Sequence, residues 1–232
     1  MPGDDLSAVA SGPTLADATT FADARAIIAK YKIDLPSAVL RHLETAQNET
    51  PKHLSNAKAR LIASPQKSLL AAAAVARAAG YRPLILGDSL EGEAKDVGIV
   101  HAGIATQAAR NGQPIRPPCV ILSGGETTVT VRGNGVGRRN VEFLLSLGVK
   151  LQGHEKIYAM AADTDGVDGG AEVAGAFIGP DTLARARALG VNPSDELANN
   201  NGHGFFAKLG DQLISGPTFT NVNDLRVILI DK

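Results

Sequence analysis

Between residues 59 and 122, short apolar segments alternate with helical segments, and this alternation constrains the fold more than any other feature. Residues 59–63, 83–86 and 119–122 are predicted strands. A helix is predicted over 66–79 and a longer one over 91–110, so that each lies between two strands. Strands and helices alternating at these lengths are typical of right-handed βαβ units. We therefore predict an α/β fold with a mostly parallel sheet and flanking helices.

Further elements are predicted after residue 122. The predicted strands cover 127–132, 157–162, 174–178, 212–214 and 225–230. The predicted helices cover 138–147 and 181–189, with one or two more within 195–209. All of them fit the same α/β class.

The first 56 residues have a different organisation. A turn-rich lead precedes two predicted helices, over 21–31 and 36–46, and a polar linker with Pro51 follows. Both helices have apolar faces but no strand of their own to cover. We therefore predict that 1–56 is the remnant of a separate domain whose sheet is missing, and that 57–232 is the main α/β domain.

Composition excludes several classes of protein. The 232 residues include 23 Lys and Arg against 24 Asp and Glu, and no Trp, so neither charge nor aromatic surface favours nucleic acid or an anionic membrane. The single cysteine, Cys119, excludes an internal disulfide and a cysteine-based zinc site. The longest apolar run, 69–76, is far shorter than the ~20 residues of a membrane helix. With acids near the N-terminus instead of a basic signal region, a reducing cytoplasm is the expected location.

The segment 123–140, SGGETTVTVRGNGVGRRN, is the first candidate site. It follows a predicted strand end, where open parallel sheets bind ligands. Its later glycines lead into a predicted helix, whose free N–H groups and dipole favour an anion. Arg138 and Arg139 in the first turn oppose that dipole, which indicates another purpose such as holding a phosphate or carboxylate. A β-hairpin turn with solvated arginines is the alternative, and neither a Walker loop nor a dinucleotide fingerprint is present.

The acidic loop Asp163-Thr-Asp165-Gly-Val-Asp168 is the second candidate site. Close carboxylates repel unless a cation or a proton lies between them, and oxygen ligands suit Mg²⁺. One of the aspartates could instead be a general base for an alcohol nucleophile. A solvent-exposed, Asp-rich turn is the third interpretation.

A third segment, 215–224, carries hydroxyls and amides suited to a polar substrate, although a long turn explains it equally well. The five histidines show no metal-ligand spacing, and His203 is interpreted as a structural turn residue. Glu126 is a better candidate for a functional acid than any histidine is for a metal ligand.

Together the three segments resemble one family. The sequences ILSGGETTVTVRGNGVGRRNVEF, AADTDGVDGGAEVAGA and SGPTFTNVNDLRVILI are similar to the C-terminal half, or MOFRL domain, of class II glycerate 2-kinases. That family is also known as hydroxypyruvate reductase in tartrate utilisation. The resemblance covers essentially all 232 residues. It implies two α/β domains with the active site in the cleft between them.

The resemblance implies transfer of the γ-phosphoryl group of ATP to glycerate with Mg²⁺. It implies that the site contains Glu126, Arg138, Asn140, Asp163, Asp165, Thr220 and Asn221. The other site residues and the individual roles follow from the chemistry of the three segments. The expected catalytic residues are Arg138, Asp163, Asp165 and Glu126. The expected cofactor-binding residues are Ser123, Gly124, Gly125, Gly133, Gly135, Gly137, Arg139, Asn140, Thr220 and Asn221. The expected metal ligands are Asp163, Asp165 and Asp168. The family's usual Gly-Gly-Arg-Asn is Gly137-Arg138-Arg139-Asn140 here, so either arginine could face the ligand.

Family members are about twice as long as this chain, so a phosphotransferase lacking part of its site is the leading hypothesis. An NAD(P)H-dependent hydroxypyruvate reductase is the second, although no dinucleotide fingerprint supports it. The third is a non-catalytic subunit that binds a ligand or a partner. The expected partners are glycerate or hydroxypyruvate and a separate N-terminal domain or subunit, with no nucleic acid and no membrane.

Overall fold

The computed structural model describes residues 6, 7, 9, 12–45, 48–169 and 172–232. Predictions made for the remaining positions of the lead, for the end of the second helix and start of the linker at 46–47, and for 170–171 lie outside the described residues. Contacts divide the chain into two compact units, with the boundary between Ile62 and Ala63. None of the described helices is long and apolar enough to cross a membrane.

The unit before Ala63 contains helices α1, Phe21–Tyr31, and α2, Ser37–Thr45. Thr20 begins α1 because its hydroxyl accepts a hydrogen bond from the Asp23 N–H while the Asp23 side chain bonds back to the Thr20 N–H. Both predicted helices are confirmed. Neither helix buries a residue among those described.

The predicted strand over 59–63 is wrong. This stretch forms no strand, and Ile62 is 84% exposed. Ser64 instead caps the next helix, with Pro65 at its first turn. An apolar run this short has no neighbouring strand to bond with, so local composition was a poor guide.

Among its described residues, the larger unit contains six helices and six strands. The helices are α3 Pro65–Ala78, α4 Ala94–Asn111, α5 Arg139–Leu151, α6 Thr182–Ala188, α7 Pro193–Ala198 and α8 Gly202–Leu209. The strands are β1 Arg82–Glu93, β2 Cys119–Thr128, β3 Ile157–Asp163, β4 Gly175–Ile178, β5 Gln212–Leu213 and β6 Asp224–Ile230. They form one sheet in the order β1-β2-β6-β3-β4-β5. The α/β class is confirmed.

The predicted mostly parallel sheet is wrong, because the sheet is mostly antiparallel. Within the described residues, β1 and β2 pair in parallel and every other neighbouring pair is antiparallel. Two of these antiparallel pairs arise because the last strand, β6, inserts between β2 and β3 and runs opposite to both. The other two join β3 to β4 and β4 to β5. Strand order of this kind depends on pairing between distant segments, which the spacing of elements along the chain does not encode.

β2 also departs from the prediction of a strand end at Leu122 followed by a loop and a new strand over 127–132. The strand continues through Ser123-Gly-Gly-Glu to Thr128, paired with an equally extended β1. Gly125 has a φ of 111°, and a Cβ there would lie 2.2 Å from the Leu90 carbonyl oxygen. Glycine is therefore required because β1 approaches so closely.

Helices cover the two faces of the sheet unequally. α4 and α5 pack on one face, where Phe143, Leu144 and Leu147 belong to the main core. α3 covers part of the other face, where Leu69 and Ala73 pack against Val120 and Leu122 of β2. The face under α4 and α5 continues into the polar residues of the candidate site.

Candidate functional site

The site lies where β3 ends and β6 begins. Asp163, the last residue of β3, pairs directly with Asp224, the first residue of β6. The alternation along β6 places Asp224, Arg226 and Ile228 on the buried face. Because β2 and β3 both run opposite to β6, their C-terminal ends lie on the same edge of the sheet.

Arg139, the first residue of α5, bridges the ends of β2 and β3. Its Nη1 lies 2.5 Å from Glu126 Oε1, and its Nη2 lies 2.7 Å from Asp163 Oδ2 and 3.8 Å from Asp224 Oδ1. The Arg139 side chain is 25% exposed, whereas that of Asp163 is 2% exposed. A cation at a helix N-terminus is unfavourable, and these three carboxylates compensate for it.

Arg138, the other candidate arginine, is exposed and precedes the first turn of α5 in an extended conformation. Its side-chain methylenes lie against Gly169, where a Cβ would come within 2.4 Å of Cδ. The structure therefore places Arg139, and not Arg138, among the carboxylates of Glu126, Asp163 and Asp224, which form an acidic cluster.

Asn140 links the cluster to the acidic loop. Its Nδ2 donates to Asp224 Oδ1 at 2.8 Å and to Asp168 Oδ1 at 3.4 Å. Asp168 also accepts from the backbone N–H groups of Asn140 and Val141 at 3.4 and 3.3 Å. This carboxylate thus satisfies the free N–H groups at the start of α5.

Burial raises the pKa of both Asp163 and Asp168 to about 6. For Asp163 the neighbouring Asp165 and Asp224 carboxylates act in the same direction, and the Arg139 guanidinium opposes them. For Asp168 the backbone N–H groups of α5 oppose the effect of burial. Both groups can therefore change protonation state near neutral pH.

Asp165 donates its backbone N–H to Asp163 Oδ1 at 3.3 Å, but its own carboxylate has different partners. Its Oδ1 accepts from the Val167 N–H at 2.8 Å, and its Oδ2 accepts from Asn221 Nδ2 at 2.8 Å. Thr218 connects the same two loops by donating its N–H to the Asp165 carbonyl oxygen at 3.0 Å. The acidic loop and the segment 215–224 are thus joined, with Asp165, Thr220 and Asn221 near the surface.

The three predicted metal ligands do not converge. Asp163 bonds with Arg139, Asp165 with Asn221 and Asp168 with the start of α5. In the part of the chain that the structure describes, no group of three or more His, Cys, Asp or Glu residues could hold a metal ion. These residues do not fit a metal cage built from protein ligands alone.

The N–H groups of the glycine loop, residues 133–137, were predicted to be free to bind an anion. In the structure several of them are bonded to other residues of the protein. Asn200 Oδ1 accepts from the N–H groups of Arg132 and Gly133 at 2.7 and 3.0 Å. The Gly135 N–H bonds to the Asn199 carbonyl oxygen at 2.9 Å. Gly133, Gly135 and Gly137 each lie so close to residues 199–201 that a Cβ would clash. These contacts bind the loop to the 199–201 segment.

Ser123, Gly124 and Gly125 lie within β2 and not in a loop. The Ser123 hydroxyl is buried and lies 3.0 Å from His101 Nε2, while His101 Nδ1 lies 2.8 Å from the Val97 carbonyl oxygen. Burial lowers the pKa of His101. The Ser123 side chain is therefore engaged inside the protein.

Sequence reasoning missed Asp224 and Arg226 as members of the site. Arg226 is 1% exposed, and its Nη2 donates to Asp224 Oδ2 at 2.6 Å. A signal was available, because the alternation of β6 puts both residues on the same face as Ile228 and Ile230. Charged residues on the buried face of a strand require partners, and so indicate a polar network.

Residues 119–224, which hold most of this network, match the MOFRL family. Residues 1–44 match DUF4147, a domain of unknown function. The resemblance predicted from the sequence is thereby confirmed.

Nearly the whole length of the chain is similar to part of several proteins named glycerate kinase. D-glycerate 2-kinase of Thermotoga maritima is 39% identical over 98% of this chain and 54% of that protein. The crystal structure of glycerate kinase from T. maritima superposes with a TM-score of 0.89 over 99% of this chain and 55% of that one. A protein of Agrobacterium vitis, provisionally named hydroxypyruvate reductase, is 53% identical over 99% of this chain and 53% of that protein. The chain thus spans about half the length of these relatives.

Proposed function

We propose that this chain contributes the phosphate-binding part of a glycerate 2-kinase, an enzyme that transfers the γ-phosphoryl group of ATP to a hydroxyl of glycerate. The observation that carries the proposal is the position of Arg139. Its partly exposed guanidinium stands at the N-terminus of α5 and at the sheet edge where the acidic loop begins. The similarity to D-glycerate 2-kinase supports the same function.

Arg139 suits a phosphate or a carboxylate. A guanidinium has five N–H donors in a fixed planar fork, and the contacts to Glu126, Asp163 and Asp224 involve its two terminal nitrogens. Its remaining donors can bind a planar or tetrahedral anion that enters from solvent. Phosphoryl transfer depends mainly on such positioning and charge stabilisation.

The two aspartates of the acidic loop have different proposed roles. Buried Asp163 orients the Arg139 guanidinium, because Asp163 Oδ2 accepts a hydrogen bond from Arg139 Nη2. Asp165, nearer to solvent and joined to Asn221, is the candidate to contact the polar substrate. Glu126, which also bonds Arg139, would compete with an anionic ligand for the guanidinium.

ATP and Mg²⁺ remain part of the proposal by homology alone. Mg²⁺ is usually bound through one or two carboxylates plus phosphate oxygens, so its binding would depend on the nucleotide. Because the predicted ligands do not converge, we assign no step to a metal held by Asp163, Asp165 and Asp168. A cytoplasmic location likewise stays a prediction.

The remaining part of the site is proposed to come from a region like that in the other half of the relatives, as a separate domain or subunit. α1 and α2 bury none of their described side chains, which is expected of helices that belong to a larger DUF4147-type domain. The 232-residue chain alone is therefore expected to bind phosphate-bearing ligands weakly and to show little or no turnover, since a misplacement of about 1 Å can cost a hundredfold in rate.

Hydroxypyruvate reduction is the second candidate, favoured by the name of the 53% identical relative. Against it, the glycine loop N–H groups that a dinucleotide phosphate would need are bonded to residues 199–201. Nothing in the loop supplies a dinucleotide fingerprint.

A paired assay tests the proposal. Release of ADP with glycerate and oxidation of NAD(P)H with hydroxypyruvate would be measured on the chain alone, while phosphate and MgATP binding are titrated. Weak binding of phosphate with no NAD(P)H oxidation is expected. NAD(P)H oxidation without ADP release would reassign the protein as a reductase, and absence of phosphate or nucleotide binding would overturn the kinase proposal.

A further inference from the structure

We infer that Arg226 is a positioning residue that sets the direction of Arg139 from beneath the site. The inference deepens the proposed function and rests on it for the role of Arg139 as the anion-binding group. The two arginines do not need to touch, because the carboxylate of Asp224 lies between them. Its Oδ2 accepts from Arg226 Nη2 at 2.6 Å, and its Oδ1 lies 3.8 Å from Arg139 Nη2.

Arg226 is held more firmly than a structural ion pair on a surface would be. It is 1% exposed, its Nη1 donates to the Gly124 carbonyl oxygen at 3.0 Å, and its Nη2 also donates to Thr127 Oγ1 at 3.3 Å. Its guanidinium carbon stands 5.2 Å from the centre of the Phe143 ring. These contacts fix the guanidinium against β2 on one side and α5 on the other.

The consequence for Asp224 is a fixed orientation. Asp224 pairs directly with Asp163 on the neighbouring strand, and two aspartates in that position repel. Arg226 neutralises Asp224 from below and leaves Oδ1 directed at Asn140 Nδ2, 2.8 Å away, and towards Arg139. Because Asn140 follows Arg139 at the start of α5, the same carboxylate fixes the backbone that carries Arg139.

The burial of Arg226 carries a desolvation cost, which favours a role for this residue beyond stability. Burial lowers the pKa of Arg226, and its Nε is a buried atom without a hydrogen-bond partner among the described residues. A buried ion pair is often no more stabilising than well-packed apolar residues of the same size. Residues that orient metal ligands commonly change metal affinity or activity 10–100-fold when they are replaced, and we take the same magnitude for a residue that orients a guanidinium.

The test uses the full chain with inorganic phosphate as the probe and two readouts. One is the phosphate dissociation constant by titration. The other is the NMR signal of the Arg139 side-chain Nε–H, assigned by its loss in Arg139→Lys. Arg226→Lys keeps the charge but cannot make the contacts to Gly124, Thr127 and Asp224 together. Leu122→Ala removes a buried side chain on the opposite sheet face, and so controls for lost stability.

Arg226→Lys is expected to weaken phosphate binding about tenfold and to move the Arg139 signal towards that of exposed Arg138. Leu122→Ala should lower the unfolding temperature and change neither readout. Thr127→Val removes one hydrogen-bond acceptor of Arg226 and should shift the Arg139 signal in the same direction by a smaller amount. This variant provides the test if Arg226→Lys does not fold. An unchanged Arg139 signal in the folded variants would overturn the inference. If the unsubstituted chain does not bind phosphate, the proposed function is overturned. The positioning role of Arg226 is still tested in that case, because the Arg139 signal does not depend on phosphate.

Discussion

Asp163 and Asp224 face each other as a directly paired couple on neighbouring antiparallel strands, at the edge of the sheet where the candidate site lies. Both are buried, with whole-residue exposures of 4% and 2%. Two like charges in that position are unfavourable, so cations and amides must surround them. Arg139, Arg226 and Asn140 do so, and together they bring the start of α5 to the ends of β2 and β3.

Replacing Arg139 with Lys is expected to weaken phosphate binding by about 10–100-fold. Lysine keeps the charge but loses the planar set of donors, and a hydrogen bond to a charged group contributes roughly 1.5–3 kcal/mol. Titration with inorganic phosphate measures the effect. Arg138→Ala is the matched control because the neighbouring side chain is exposed and should change the affinity less than about twofold. A larger loss of phosphate affinity in Arg138→Ala than in Arg139→Lys would show that Arg138 is the anion-binding arginine.

Glu142→Gln is expected to stabilise the protein at pH 8 but not at pH 4. Burial raises the pKa of Glu142 from 4.5 to about 7, so the folded state holds this proton more tightly than the unfolded chain. The stabilisation from Glu142 is therefore complete below about pH 4.5 and is lost as the pH rises through 7. Glutamine stays neutral throughout, and the gain at pH 8 should be roughly 1–3 kcal/mol.

Denaturant unfolding of both proteins at several pH values measures this difference. Asp163 and Asp168 contribute pH dependence to both proteins, so the comparison isolates Glu142. Exposed Glu155→Gln serves as the control and should change stability by less than about 0.5 kcal/mol. A difference between Glu142→Gln and the unsubstituted protein that does not vary with pH would contradict the assignment.

Asn200→Ala should destabilise the larger unit by about 2–4 kcal/mol. Its Oδ1 accepts from two backbone N–H groups of the glycine loop, and its φ of 52° is unfavourable for alanine. Each orphaned buried donor costs about 1–3 kcal/mol. Thermal unfolding measures the loss, and cleavage by a protease at Arg132 should accelerate. Asn134→Ala, an exposed substitution in the same loop, should change neither the unfolding temperature nor the rate of cleavage.

Phe219→Asn is expected to raise the free energy of unfolding by about 0.5–1 kcal/mol. Phe219 has a φ of 59° and is 96% exposed, so it occupies the left-handed region without packing that compensates. Asparagine tolerates that region better, and little apolar contact is lost. Phe219→Leu removes the ring but keeps the unfavourable backbone, and should show no gain. Equal stability of the asparagine and leucine variants would show that the backbone angle is not the cause.

Much of the secondary structure was predictable from the sequence because its signals are local. Thr20 and Ser64 begin helices by accepting hydrogen bonds from the N–H groups three residues on, those of Asp23 and Lys67. The buried run of β3 was predicted to within one residue for the same reason. The continuation of β2 through two glycines was not predictable, since glycine is recognised as a turn residue until a neighbouring strand shows why it is needed.

For the candidate site, the sequence by itself determined which segments are the candidates: the acidic loop, the Arg-Asn pair and the segment before β6. Their composition is a property of short stretches. Only the tertiary structure decided that Arg139 and not Arg138 joins Asp163, and that Asp224 and Arg226 complete the network. Those partners are set by the insertion of β6 between β2 and β3, which pairs residues 61 to 111 positions apart. Such pairing is fixed by burial and hydrogen bonding of the whole sheet, and no local pattern contains it.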